Sequence, residues 1–136
     1  VALSCLCLVA GTCIYLLFRP TTLLLFEWVE SLGMLETVMA ARQLFRRPES
    51  PWIEWTVFSL PYALWVLAYM LLVGAIWGRD PSPCKIAWLV WVPAIAIGAE
   101  VGQAWGWIPG RFDPVDLALI VFAAVLGSKA NMEKSK

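Results

Sequence analysis

Four stretches of this chain, 1–18, 56–77, 86–107 and 114–130, each run for about the length of a helix with few ionisable side chains. They are continuous and rich in Leu, Ala and Val, which predicts membrane-spanning helices; strands of a β-barrel would alternate apolar and polar residues. The 136 residues are 61% hydrophobic and only 15% charged, too little charge to cover a soluble domain of this size. The expected fold is all-α: an integral membrane bundle of four transmembrane helices plus one interfacial amphipathic helix, forming a single domain over 1–136.

The first run stops at Arg19-Pro20. The chain opens at Val1 rather than Met, so residues are expected ahead of it. No basic region precedes the apolar run, which continues to Phe18 and so reads as a first transmembrane helix rather than a signal sequence. Residues 21–47 set Leu and Met between Glu27, Glu30, Glu36 and Arg42 at roughly helical spacing. Three glutamates argue against a span. The pattern suits a helix lying in the interface or across the bundle mouth, and its charges read most simply as a solvated face. Pro48-Glu49-Ser50-Pro51 breaks the chain. Pro61 falls about one turn inside the second span, where it kinks the helix or marks its start. A polar loop with two prolines fills 78–85, and Ile108-Pro109-Gly110 ends the third span.

The nine tryptophans read as interfacial anchors rather than a ligand box. Trp52, Trp55 and Trp77 bracket the second span; Trp88 and Trp91, then Trp105 and Trp107, flank the third. Orientation is left open by charge. Arg19, Arg42, Arg46, Arg47 and Arg111 fall on one side and Arg79, Lys85, Lys129, Lys134 and Lys136 on the other, five against five.

The absence of His excludes a His-based metal site or a Ser-His-Asp triad within the chain, and zero net charge points away from nucleic acid. Cys5, Cys7 and Cys13 lie in the first apolar run, where cysteine behaves as a small hydrophobe; Cys5 and Cys7 have no second pair with which to build a metal site. Cys84, in a short loop, is the one thiol placed for reaction or lipidation. Nothing in the sequence calls for a cofactor.

One cluster stands out from the apolar background. Glu100 and Gln103 are three apart near the end of the third span and project from one face. Glu100 lies about seven residues before that end, ~10 Å deep, so its carboxyl must be protonated, paired or open to water. Arg111, Asp113 and Asp116 follow in the next turn. Arg111 is long enough to reach back to Glu100 and is also shaped to grip a phosphate or carboxylate from outside. Asp113 suits an N-cap, Pro114 the first helical position and Asp116 the positive end of the helix dipole, which accounts for both aspartates structurally. It does not account for Glu100, on the neighbouring helix and directed to the same end.

The segment Glu100-Val101-Gly102-Gln103, then Gly110-Arg111-Phe112-Asp113-Pro114-Val115-Asp116 at the head of a last apolar helix, resembles the VanZ-like family of small bacterial integral membrane proteins. The resemblance covers 98–127; the earlier spans agree in hydropathy alone. Ile120 and Val121 stand where such proteins usually carry Asn, and Phe58–Trp65 lacks their charged and His-containing segment. The resemblance implies a multi-pass protein of the bacterial cytoplasmic membrane, with both termini in the cytoplasm and the polar cluster outside. A named member of that family is associated with glycopeptide-antibiotic resistance.

Three functions compete. The first is binding of an anionic lipid-linked or cell-wall precursor head group by Glu100, Gln103, Arg111, Asp113 and Asp116, with membrane lipid as the surroundings. The second is a non-catalytic accessory or assembly subunit of a larger membrane protein complex. The third is an enzyme using the carboxylates as acid and base, against which stands the lack of an activated nucleophile: Ser59 and Thr56 have no base evident in sequence. A proton-coupled carrier built on Glu100 would want a pair of broken helices, and none is evident. No catalytic residue is assigned.

Overall fold

The computed structural model describes residues 1–45, 50–80 and 82–133. Arg46, Arg47, the Pro48-Glu49 break, Pro81, Lys134, Lys136 and the side chains of Pro51 and Trp55 lie outside the described residues. Six helices follow in order: α1 (Ala2–Phe18), α2 (Leu24–Ser31), α3 (Leu35–Leu44), α4 (Pro51–Trp77), α5 (Pro83–Ala104) and α6 (Pro114–Glu133). No strand occurs among the described residues. Within α4, α5 and α6 are three helices long and apolar enough to cross a membrane; α1 is equally apolar but has 17 residues.

α4 is the spine. Its most apolar stretch is 50% buried, against 17% for α5 and 22% for α6. α1 and α6 pack along it closely, and α5 more lightly against α4 and α6. Ala63, Val66 and Met70 of α4 meet Ile120 and Ala123 of α6, and on the other flank Ala68 and Leu71 meet Cys7 of α1. Cys5, Cys13 and Cys84 are exposed, and the four cysteines are all free.

Inside a bilayer, lipid tails are as apolar as the helices, so close packing and polar contacts carry association. Glycine supplies the closeness here. A β-carbon at Gly127 of α6 would come within 2.7 Å of the Met70 Cβ and Sδ on α4, and one at Gly11 of α1 within 2.9 Å of the Trp65 Nε1. Polar staples add to it: Ser4 Oγ donates to the Ala68 carbonyl at 2.7 Å, and Asn131 Nδ2 to the Met70 and Gly127 carbonyls at 3.1 and 2.8 Å.

The helix limits differ from the apolar runs where local chemistry decides. Ser50 and Pro51 start α4 before the apolar run, with Pro51 at its first helical position. Pro61 is accommodated inside a continuous helix. Ser82 caps α5, its Oγ accepting from Lys85 N at 3.3 Å, and α5 stops at Ala104, short of Trp107. There Gly106, at φ 72°, lets Gly106 N donate to the Gln103 carbonyl and Trp107 N to the Gly102 carbonyl, a Schellman stop. α6 runs on to Glu133, past the expected polar boundary, because Asn131 is held in the core.

The single amphipathic helix expected within 21–47 is two short helices. Gly33 (φ 69°) ends α2, with Gly33 N donating to the Glu30 carbonyl and Met34 N to the Val29 carbonyl. Leu24, Trp28, Leu32, Met34 and Met39 are exposed, while Phe26 is buried with the Arg42 guanidinium 5.5 Å from its ring. Arg42 Nη1 also donates to the Leu16 and Arg19 carbonyls at 2.7 and 2.8 Å, tying α3 to the C-terminus of α1.

Gly127→Ala should force Met70 aside and lower stability by about 1–3 kcal/mol, as overpacking does. Gly98, also helical, has open space where its β-carbon would stand. Gly98→Ala should therefore be neutral or stabilise by up to about 1 kcal/mol. Thermal unfolding of both variants in detergent checks the pair.

Candidate functional site

The end of α1, the start of α4, the end of α5 and the start of α6 meet at one end of the bundle, with α2 and α3 beside them. Ionisable side chains carried by all four long helices gather there, Arg19 just past α1, Glu54 of α4, Glu100 of α5 and Asp116 of α6. Arg19 follows α1 in extended conformation (φ −76°, ψ 154°), which turns its side chain across to α4. Its Nη2 donates to the Phe58 carbonyl at 2.9 Å. That carbonyl lies in the turn preceding Pro61, where the missing proline N–H disturbs the helical ladder. The guanidinium is 5.0 Å from the Phe58 ring, 5.3 Å from Tyr62 and 5.7 Å from Tyr15, so aromatic faces hold the cation.

Asp116, in the first turn of α6, lies within electrostatic reach of Arg19 and beside the Ser59 hydroxyl. Neither contact closes fully. Arg19 Nε, Ser59 Oγ and Asp116 Oδ1 are each buried with no hydrogen-bond partner. Ser59 therefore does have a carboxylate neighbour, contrary to its appearance in sequence. It is 0% exposed, which denies it a substrate carbonyl.

The hairpin between α5 and α6 is built on backbone contacts. Glu100 is 8% exposed, and its Oε2 accepts from Asp113 N at 3.5 Å. Asp113 in turn caps α6, its Oδ1 accepting from Val115 N at 2.8 Å. Gln103 packs under the turn: a β-carbon at Gly110 (φ 143°) would meet the Gln103 Cδ at 2.8 Å. Arg111 does not reach back to Glu100. It is exposed and makes no ion pair with a described carboxylate. The turn points its stem outward, and the hairpin's own amide takes the place the guanidinium was expected to fill.

Two adjoining pockets divide the five expected residues. An open cleft of about 560 Å³ is lined by Arg111, Asp113 and Asp116, with Arg19, Glu54 and Phe58 facing them from α1 and α4. Glu100 and Gln103 line a separate pocket of about 320 Å³ with Tyr62, Trp65 and Ala96. Tyr62 stands between them, within electrostatic reach of Arg19, Asp116 and Glu100. Arg19, Glu54, Ser59 and Tyr62 did not emerge from sequence as site residues. An arginine closing an apolar run is an ordinary interfacial anchor, and only the fold carries it over Phe58 and Tyr62. No group of three metal-ligating side chains forms among the described residues.

The cleft offers two guanidinium groups at different depths, three carboxylates and an aromatic floor. Its charges are mixed, two arginines against Glu54, Asp113 and Asp116. Removing the cap by Asp113→Ala should cost about 0.5–2 kcal/mol, and Asp113→Asn should retain most of it; thermal unfolding in detergent measures both. No family model, no curated protein and no solved structure matches the chain.

Proposed function

We propose that this chain is a VanZ-like integral membrane protein of the bacterial cell envelope, set in the cytoplasmic membrane, that binds the anionic head group of a lipid-linked or cell-wall precursor in the cleft of Arg19 and Arg111. α1 joins the three longer helices as a fourth span, since its 17 residues reach ~26 Å and Arg19 at its end docks on α4. α2 and α3 lie in the interface beside the cleft, with Leu24, Trp28 and Leu32 toward lipid.

The observation that carries this reading is the set of unpartnered atoms. Arg19 Nε, Ser59 Oγ and Asp116 Oδ1 come from three parts of the chain and gather beside the cleft, none closing a full hydrogen bond although Ser59 and Arg19 both adjoin Asp116. A buried polar group left unmade costs about 1–3 kcal/mol, so a fold that gathers three is suited to a polar guest. A phosphate would meet Arg19 where its side chain lines the cleft, and an adjoining hydroxyl would meet Asp116 there. Arg111, free of carboxylate partners at the rim, would meet the same phosphate from outside. The function is binding rather than catalysis.

Arg111→Ala should weaken binding of a polyprenyl phosphate in detergent by about tenfold, the loss of one charge-assisted contact, while the thermal unfolding midpoint stays near that of the parent. Unchanged affinity would remove the cleft from head-group recognition. Loss of fold in Arg111→Ala would make the cluster structural.

A second reading, an accessory subunit of a larger membrane complex, draws on the lightly buried α5. Its Ile86, Val90, Trp91 and Ile95 are exposed. A stoichiometric partner retained in mild detergent favours it, and a lone species argues against it.

A further inference from the structure

The far end of the bundle holds another cation, Lys85, away from the cleft. From Phe58 to Gly78, α4 climbs about 30 Å, the thickness of a hydrocarbon core, so the two ends sit at opposite membrane faces. At this far end the loop from α4 to α5 returns Lys85 inward. Lys85 is 5% exposed, and its Nζ donates to the Gly78 carbonyl at 2.7 Å, capping the C-terminus of α4. An ammonium carries three donors, and this bond is the one that Lys85 Nζ makes among the described residues. Asp80, the acid of the same loop, is turned to Ser82 N at 3.1 Å and does not pair with it. A buried positive charge thus has one neutral partner and two donors left over.

Lys85 also lines a groove of about 340 Å³ between the start of α5 and the end of α6. Ile86, Leu89, Val90 and Met132 make its walls apolar, and Ser128 and Asn131 add two polar groups. No carboxylate is among the lining residues. Asn131 commits its amide nitrogen to the Met70 and Gly127 carbonyls, which leaves Lys85 as the groove's donor. Exposed Lys129 and Glu133 follow the lining residues Ser128 and Met132 on α6.

We infer that this groove is a site for an anionic phospholipid, its phosphate on Lys85 and the upper part of an acyl chain along Ile86, Leu89 and Val90. Charge complementarity selects that occupant. The groove joins a buried cation at the depth of a lipid phosphate to an apolar wall running into the hydrocarbon, the arrangement by which basic pockets between membrane helices hold anionic head groups. A zwitterionic lipid would bring its own cation against Lys85. The inference stands apart from the proposed cleft.

The test is phosphatidylglycerol binding to the detergent-purified protein, followed by native mass spectrometry. Lys85→Met keeps the stem and removes the charge. It should weaken phosphatidylglycerol binding by about tenfold, with Arg111→Ala leaving it unchanged. Lys85→Met also removes the α4 cap. Ser128→Trp therefore provides a second variant, filling the groove from an exposed position without touching Lys85; it too should lose the bound lipid while thermal unfolding is preserved. Phosphatidylcholine should bind the parent and both variants alike. Parent-like phosphatidylglycerol binding in a folded Ser128→Trp or Lys85→Met protein would overturn the inference. So would displacement of the lipid by millimolar inorganic phosphate, which would make the groove an anion site with no part for the chain.

Discussion

A guanidinium at the end of an apolar helix has to find its partners in the protein, because hydrocarbon supplies none. Arg19 finds them on α4, in one carbonyl and three aromatic rings. That single docking fixes much else. It sets the depth at which α1 meets α4, brings a cation near Asp116 of α6, and makes the Arg19 carbonyl available to Arg42, through which α3 is anchored. The cleft is what remains between these commitments.

The rest of the bundle answers the lack of a hydrophobic force between membrane helices. Gly11 and Gly127 let α1 and α6 approach the spine, and Ser4 and Asn131 add hydrogen bonds at the far end. The two ends differ in how many polar atoms they leave unmade. The far end is stapled by side chains whose donors reach main-chain carbonyls. The near end leaves a donor, a hydroxyl and an acceptor unfilled. The far end keeps one such atom as well, Asn131 Oδ1, so the difference between the ends is one of number.

Much of this was legible in the residues. The apolar runs carried the helices, Asp113-Pro114 announced the start of α6, and Glu100 aimed at the hairpin as its position implied. What could not be read was set by tertiary contact. Gly33 looked like one residue of an amphipathic helix, yet its left-handed backbone divides α2 from α3. Asn131 looked like the start of a polar tail, though it is 5% exposed because Gly74 leaves room for its carboxamide. Arg111 was the evident cation by proximity in sequence, whereas Arg19, almost a hundred positions away, is the one beside Asp116. Long-range pairing of that sort has no local signal.

The proposed function places a phosphate-bearing head group between Arg19 and Arg111. Solid-state NMR of the reconstituted protein, measuring dipolar coupling between the phosphorus of bound polyprenyl phosphate and labelled arginine side-chain nitrogens, tests it at the atoms concerned. Coupling to two arginines is expected, lost one at a time in Arg19→Met and Arg111→Ala. A bound phosphorus coupled to neither would contradict it.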